Sequence, residues 1–390
     1  MPAADPANGL NADETFSPFC LRANQTPMDA TTICRYMAQQ EMALNSVFVA
    51  EGIAGSLLTG HQGPTTLTYR LRIHQPTAAI LARVMRLASA IESALGAAPV
   101  RVATIQGVVH IETPSPWPVA ISAERLTGRG LCVPVGLAVG RDGATGQQTV
   151  VRVDFSQPDQ AHLGLFGATG SGKSTALLAL LYHLARQNRP AAVRSLIICV
   201  PAKARTWQAV AALPHCAALL TDLPEIAAAL AWTADLVRQR RGRCPEWFVV
   251  MDDAQDVLST VDVTESLQML ARVGREPGVH LLLSTQTGGK AGTGATANNL
   301  RARLIFAAAD AQSAATLAGR GQTGAERLGA TPGETLLIIG SQESRFTVSA
   351  VPPAAWAALP QRCATYHPWS SPITGDNAGG GLAAVAGPLY

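Results

Sequence analysis

The sequence predicts an α/β protein: a P-loop nucleotide-binding domain on a mostly parallel sheet, preceded by a small α+β domain. Three observations carry this expectation. The apolar run Leu163–Phe166 leads into a glycine-rich turn and then into an alanine- and leucine-rich helical segment from Thr175 to Arg186. Beyond it, short apolar runs alternate with helical periodicity, the pattern of a parallel sheet covered on both faces. Ahead of it, period-two alternation and helical spacing within residues 31–130 fit a separate compact unit.

Composition bounds the reading. A chain of 390 residues has room for two or three domains with sizeable cores. Hydrophobic residues at 47% and charged residues at 15% describe a globular chain, not a disordered one. Lysine occurs only at Lys173, Lys203 and Lys290, and arginine carries the remaining positive charge, so arginine abundance alone is no argument for nucleic acid. The net charge of +3 is too small to select a partner. Seven cysteines without a C-x-x-C pair, Cys20 and Cys363 among them, read as scattered, mostly buried thiols of a reducing compartment. The eight histidines form no H-x-x-x-H grouping, which argues against a catalytic metal held by imidazoles. The most apolar early stretch, residues 42–58, is interrupted by Asn45, Glu51 and two glycines and is too short to span a bilayer. A soluble, cytoplasmic protein is expected.

Taken in order, residues 1–30 lack periodicity and read as a mobile tail. A helix is expected over 31–44, strand pieces over 47–50 and 56–58, and a half-buried strand over 65–73. Residues 78–95 carry apolar side chains at helical spacing, with Gly96 as a stop. Strands return over 100–103 and 108–111, and Pro114, Pro116 and Pro118 break the pattern. The second domain, 131–350, starts with strands at Gln148–Asp154 and Leu163–Phe166. After the P-loop helix come strands over 195–200, 247–251 and 280–284, with helices over 224–241 and 266–273. Runs at 304–308, Glu334–Ile339 and 344–348 read as further strands at the sheet's edge. Residues 351–390 read as a loose tail.

Between Gly167 and Ser174 the chain satisfies G-x-x-x-x-G-K-[ST]. Glycines let successive amides approach phosphate oxygens, and the following helix presents its positive end to the same anion. Gly167, Ala168, Thr169, Gly170, Ser171, Gly172, Lys173, Ser174 and Thr175 are therefore the expected nucleoside-triphosphate cradle. Lys173 is expected to lie exposed to the phosphates, and Ser174 can ligate Mg²⁺. About eighty residues on, the apolar strand 247–251 precedes Asp252 and Asp253, the Walker B arrangement. There Asp252 serves the metal and Asp253 the attacking water. The strand over 280–284 ends at Thr285 and Gln286, where a glutamine can sense the γ-phosphate.

Together these residues resemble the FtsK/SpoIIIE DNA translocases, over roughly residues 31–348. The resemblance includes Gly63-Pro64-Thr65 followed by Tyr69, Gly140-Arg141-Asp142, the P-loop, and Asp252-Asp253-Ala254-Gln255-Asp256. It continues through Arg275-Glu276-Pro277-Gly278-Val279-His280-Leu281 to Thr285-Gln286, then Asn299-Leu300-Arg301-Ala302-Arg303 and Gly324-Ala325-Glu326-Arg327-Leu328-Gly329. It implies a RecA-like, ATP- and Mg-dependent motor that forms a homohexameric ring around double-stranded DNA. Arg303 matches an arginine finger acting on the neighbouring subunit, while Arg320, Arg327 and Arg345 match DNA-facing positions.

Departures from the pattern shape the functional expectation. Asp253 stands in place of a glutamate, which suggests slower hydrolysis. Val200 replaces the aspartate of a D-P-K turn, leaving Pro201 and Lys203. No membrane-spanning start and no room for a winged-helix module after Val351 are seen, so a translocase without sequence readout, serving a plasmid, integrative element or phage, is expected. Its rivals are an ATPase motor of protein secretion and a slow ATP-dependent DNA clamp.

Overall fold

The computed structural model describes residues 30–361 apart from 59, 98, 106, 142–147, 260–261, 287–295, 322 and 329–331. The expected N-terminal tail up to residue 29, residues 362–390 of the C-terminal one, Cys20, Cys363, Asp142 and Gly329 lie outside the described residues. Residues 351–361 are not the loose start of a tail: Pro353–Ala357 is helical, with Ala355 and Trp356 buried against the main core. The chain opens with α1 (Ala30–Ala50), which runs through 47–50, where a strand is expected. Val47 and Val49 favour extended backbone locally. Leu44 and Phe48, one helical turn apart, are both buried in the small unit's core, and that packing continues the helix.

A five-stranded antiparallel sheet follows, formed by β1 (Gly55–Leu57), β2 (His61–Gln62), β3 (Thr66–Ile73), β4 (Arg101–Ile105) and β5 (Val108–Pro114). Its order is β1-β3-β5-β4, with β2 on β3. The single helix expected over 78–95 is two, α2 (Ala78–Arg86) and α3 (Ala88–Leu95), joined at Leu87. Thr77 caps the first through Ile80 N, and Gly96 at φ 61° ends the second.

The larger sheet collects the rest of the chain. In sequence order its elements are β6 (Cys132–Arg141), β7 (Gln148–Asp154), β8 (Leu163–Phe166), α4 (Lys173–Gln187), β9 (Val193–Cys199), α5 (Ala204–Ala211) and β10 (Cys216–Leu220). Then come α6 (Leu223–Gln239), β11 (Glu246–Asp252), α7 (Ala254–Leu258), α8 (Thr264–Val273), β12 (Val279–Thr285), α9 (Thr296–Asn299) and β13 (Ala302–Ile305). α10 (Ala311–Ala318), the hairpin β14 (Glu334–Ile339) and β15 (Gln342–Val348), and α11 (Pro353–Ala357) complete it. The order is β10-β9-β11-β12-β8-β13-β14-β15-β6-β7. From β10 to β13 the pairings are parallel, and from β13 to β7 they are antiparallel.

The last three strands do not form an edge, as the sequence suggested. β13 lies beside the P-loop strand β8, and β14 and β15 lead on to β6 and β7, so the two edge strands are β7, ahead of the P-loop, and β10. One face of the sheet is covered by α4 and α5 through residues such as Leu177, Leu180 and Trp207. The other is covered by α6, α8 and α10 through Leu230, Leu267 and Leu317.

The two sheets meet along a polar seam. At Gly63 a Cβ would stand 2.6 Å from the Val139 carbonyl of β6, so the Gly63-Pro64 turn lies against the larger sheet as only glycine allows. Thr65 Oγ1 donates to Glu334 at 2.8 Å and lies 2.9 Å from the Thr347 hydroxyl. Arg101 of β4 donates to Glu112 at 3.1 Å, to Glu343 at 2.7 Å and to the Thr323 carbonyl at 3.2 Å. Arg345 of β15 donates to Glu112 and, at 2.6 Å, to Glu334. Arginines and glutamates alternate around this buried cluster, so no charge faces its like without an opposite partner.

Candidate nucleotide site

The P-loop runs from the end of β8 to the start of α4. Gly167 N donates to Thr285 O at 3.3 Å and Ala168 N to Ala307 O at 3.1 Å, so the loop is braced by the ends of β12 and β13. Gly172 sits at φ +112°, and a Cβ there would stand 2.9 Å from the backbone nitrogen of Gly333. Gly333 N in turn donates to Ser171 O at 2.8 Å. The loop therefore touches the residue that leads directly into Glu334 of the seam.

Lys173 is buried, 4% exposed, where exposure was expected. Its ammonium donates to the carbonyls of Gly167 at 2.8 Å and Ala168 at 2.9 Å, which curls the side chain back inside its own loop. Burial lowers the Lys173 pKa, opposed by Asp253 and reinforced by Lys203. Phosphate oxygens arriving at the loop would replace the two carbonyls and favour the charged form.

The Walker B acids stand opposite. Ser174 Oγ donates to Asp252 Oδ2 at 2.8 Å, so the two expected metal-binding side chains are brought together. The other oxygen of Asp252 accepts from Ser284 Oγ at 2.7 Å. Ser284 Oγ also accepts from Asp253 N at 2.9 Å, which ties the end of β11 to β12. A hydroxyl and a carboxylate side by side are hard oxygen donors of the kind Mg²⁺ takes alongside phosphate, and the donor set fits that ion.

Asp253 has φ 54° and ψ 54°, left-handed backbone that aspartate tolerates better than most residues. Its Oδ1 is buried without a hydrogen-bond partner, a carboxylate oxygen left for a polar group that enters the site. Gln255 Oε1 accepts from Thr285 Oγ1 at 2.7 Å and from Gln286 N at 3.2 Å, so the strand end carrying Gln286 is fixed beside the acids. Gln286 itself is exposed at the mouth of the site.

Lys203, absent from the residues expected at the site, lies in it. From the turn after β9 its ammonium reaches Asp252 Oδ2 at 3.2 Å, the Ser174 hydroxyl at 3.4 Å and a carboxylate oxygen of Asp253. Burial works against its charge, but the hydrogen bond to Asp253 and the charges of both aspartates outweigh it and hold its pKa above the ordinary value.

The remaining arginines divide. Arg303 on β13 donates to the carbonyls of Leu300 at 3.1 Å and Leu317 at 3.0 Å, with its guanidinium 5.8 Å from the Phe166 ring centre. Arg320 and Arg327 keep about a third of their side chains exposed, paired with Glu343 at 2.8 Å and Glu92 at 3.3 Å. Arg345 does not face outward. Its side chain is 6% exposed and held by Glu112 and Glu334, so it leaves the set of DNA-facing candidates. β15 is paired on both sides within the larger sheet and covered by the small unit, which turns this arginine into the seam.

Comparison with known proteins finds partial likenesses along the chain. The FtsK/SpoIIIE family matches residues 133–246 and the FtsK alpha domain matches residues 20–115. A DNA translocase FtsK of Sporosarcina ureae is 26% identical over 326 residues, covering 73% of this chain and 40% of that protein. The ESX-4 secretion system protein EccC4 of Mycobacterium tuberculosis is 26% identical over 285 residues, covering 61% of this chain and 23% of that protein. The chain thus spans less than half the length of these curated relatives. Among solved structures, the monomer form of the pCW3 conjugation coupling protein TcpA with ATPγS shares the fold, at a TM-score of 0.53 and 15% identity over 82% of this chain and 96% of that one. With a match to the FtsK alpha domain, a match to the FtsK/SpoIIIE family and an assembled P-loop and Walker B pair on one chain, this protein is an ATPase similar to the FtsK/SpoIIIE family.

Proposed function

We propose that this chain is the Mg-dependent motor of a double-stranded DNA translocase, acting as a homohexameric ring without sequence readout. Residues 31–130 form its small domain and residues 131–350 its ATPase domain. The observation that carries the reading is the FtsK alpha domain matched at residues 20–115 and joined to the ATPase sheet through the buried seam. A DNA translocase FtsK, whose name the matched domain shares, is among the relatives that span both units of the chain.

In this reading Lys173 and the first amides of α4 take the β- and γ-phosphates, and Ser174 and Asp252 hold Mg²⁺. When bound, the metal neutralises charge that develops on the phosphoryl oxygens. Asp253 accepts a hydrogen bond from the attacking water and orients it. Gln286, at the mouth of the site, reads the γ-phosphate and passes its state to the strand end held by Gln255. Arg303 acts on the neighbouring subunit's nucleotide, for which its guanidinium must leave the Leu300 and Leu317 carbonyls on ring assembly. Arg320 and Arg327 meet phosphates of the duplex and not base edges. A cytoplasmic role in transfer or segregation of a plasmid, integrative element or phage genome fits a motor of this kind.

The similarity to EccC4 supports a second reading, an ATPase that moves protein. ATP turnover by the full chain, with and without long duplex DNA, separates the two. Several-fold stimulation by duplexes of unrelated sequence supports the DNA motor. Unchanged turnover with DNA would favour the protein motor or a slow clamp.

A further inference from the structure

We propose that Lys203 is a tethered cation that competes with Mg²⁺ for the Ser174–Asp252 pair, so that the metal must displace an ammonium before the site is loaded. The inference rests on the reading of Ser174 and Asp252 as metal ligands. Cys199, the last residue of β9, pairs in register with Asp252 on β11, so the turn that follows β9 emerges beside the Walker B acids. That turn, Pro201–Lys203, is a single 3-10 turn with proline at its start, which fixes where the lysine stem begins.

The oxygens that Lys203 contacts are the ones a divalent ion would need. Asp252 Oδ1 is taken by Ser284 at 2.7 Å, so only Oδ2 faces the loop, and Oδ2 accepts from both Ser174 at 2.8 Å and Lys203 at 3.2 Å. The ammonium also lies 3.4 Å from the Ser174 hydroxyl and bonds a carboxylate oxygen of Asp253. It therefore touches all three side chains on which metal binding and water orientation depend. The Lys203 ammonium bridges two neighbouring aspartates that would otherwise repel each other in a buried corner.

Lys203 can also withdraw. Its side chain is 29% exposed, in contrast to fully buried Asp252, and a four-carbon stem with a strongly hydrated head moves to water at little expense. Lys173, held on the loop's own carbonyls, is the second cation of the site. The two lysines keep the acids and the loop satisfied until phosphate and metal arrive together. Such an arrangement sets a threshold: nucleotide without metal leaves Lys203 on the aspartates, and the hydrolytic carboxylate Asp253 stays engaged.

The test is Mg²⁺ titration of the full chain with a fluorescent, non-hydrolysable ATP analogue, read as binding and not as turnover. Lys203→Met removes the competing charge while keeping the stem, and should lower the half-saturating Mg²⁺ concentration by about tenfold, the size of one half-buried ion pair. Lys203→Arg, which keeps a cation, should remain within about threefold of wild type. Lys203→Gln carries the same expectation as the methionine variant and stands in for it if the latter misfolds. An Mg²⁺ requirement that is unchanged or raised in both neutral variants overturns the inference and leaves the metal site standing. Analogue binding by wild type that ignores Mg²⁺ overturns the metal site and this inference with it.

Discussion

Replacing Arg345 with methionine tests the seam, and the structure sets the size of the effect. The guanidinium is 6% exposed and contacts Glu112 and Glu334, whose side chains are 4% and 1% exposed. Removing one partner of a buried pair costs about 3–5 kcal/mol, because the charge left behind has neither water nor counter-ion. Compensation here is partial: Glu112 keeps Arg101 at 3.1 Å and Glu334 keeps the Thr65 hydroxyl at 2.8 Å. A loss of about 4 kcal/mol is therefore expected, or about 8–16 °C in melting temperature for a domain of this size. Thermal and urea unfolding of the full chain, followed by circular dichroism, measures it. Adding Glu334→Gln to Arg345→Met should recover part of the loss, since that carboxylate loses this arginine while Glu112 still pairs with Arg101. A loss below about 1 kcal/mol, together with weakened DNA binding, would put Arg345 on a DNA-facing surface and refute the reasoning.

Four other outcomes are expected. Arg303→Ala should lower ATP turnover on the order of a thousandfold with analogue affinity preserved, and mixing it with Lys173→Ala subunits should restore part of the activity; loss of nucleotide binding would mark it as structural. Asp253→Asn should abolish turnover while Asp253→Glu retains it at a stability cost of about 1 kcal/mol from the left-handed backbone; equal turnover in wild type and Asp253→Asn would remove the residue from the chemistry. Arg320→Ala with Arg327→Ala should flatten the log–log salt dependence of duplex binding by about 0.9 for each contact, equally on two unrelated sequences; a loss on one sequence alone would mean base readout. His183 is buried with neither ring nitrogen partnered, and burial lowers its pKa to about 4. It folds neutral, so its contribution is complete above the unfolded value of about 6.5 and is lost as pH falls from there toward 4, by up to about 1.4 kcal/mol per pH unit. His183→Leu should flatten that acid limb of the stability profile, and an unaltered limb would contradict the assignment.

The nucleotide site was legible because its signals are local. Lys173 and Ser174 follow their glycines directly, and Asp252 and Asp253 end a strand whose apolar run announces it. What was not legible depends on pairing between distant segments. Lys203 stood in plain view beside Pro201, but its role follows only once β9 is seen adjacent to β11, which brings Cys199 level with Asp252. A lysine in the first turn after a strand that neighbours the Walker B strand is the signal that could have found it. Arg345 stood among the DNA-facing candidates because of the family resemblance, on a run that read as one of the strands at the sheet's edge. Its burial comes from the small unit, whose Glu112 lies 233 positions away in the chain. The helix through Val47 and Val49 shows the same lesson at short range: two β-branched residues lose to the packing of Leu44 and Phe48.

Displacement of a third strand shows whether ATP hydrolysis moves this chain along duplex DNA, as proposed. A labelled oligonucleotide is bound as a triplex at one end of a long duplex, and its release is followed after ATP and Mg²⁺ are added to the full chain. Release should require ATP, fail with Lys173→Ala, and lag by a time that grows with the length of duplex ahead of the triplex. Robust ATP turnover without release at any duplex length would contradict a DNA-translocating motor.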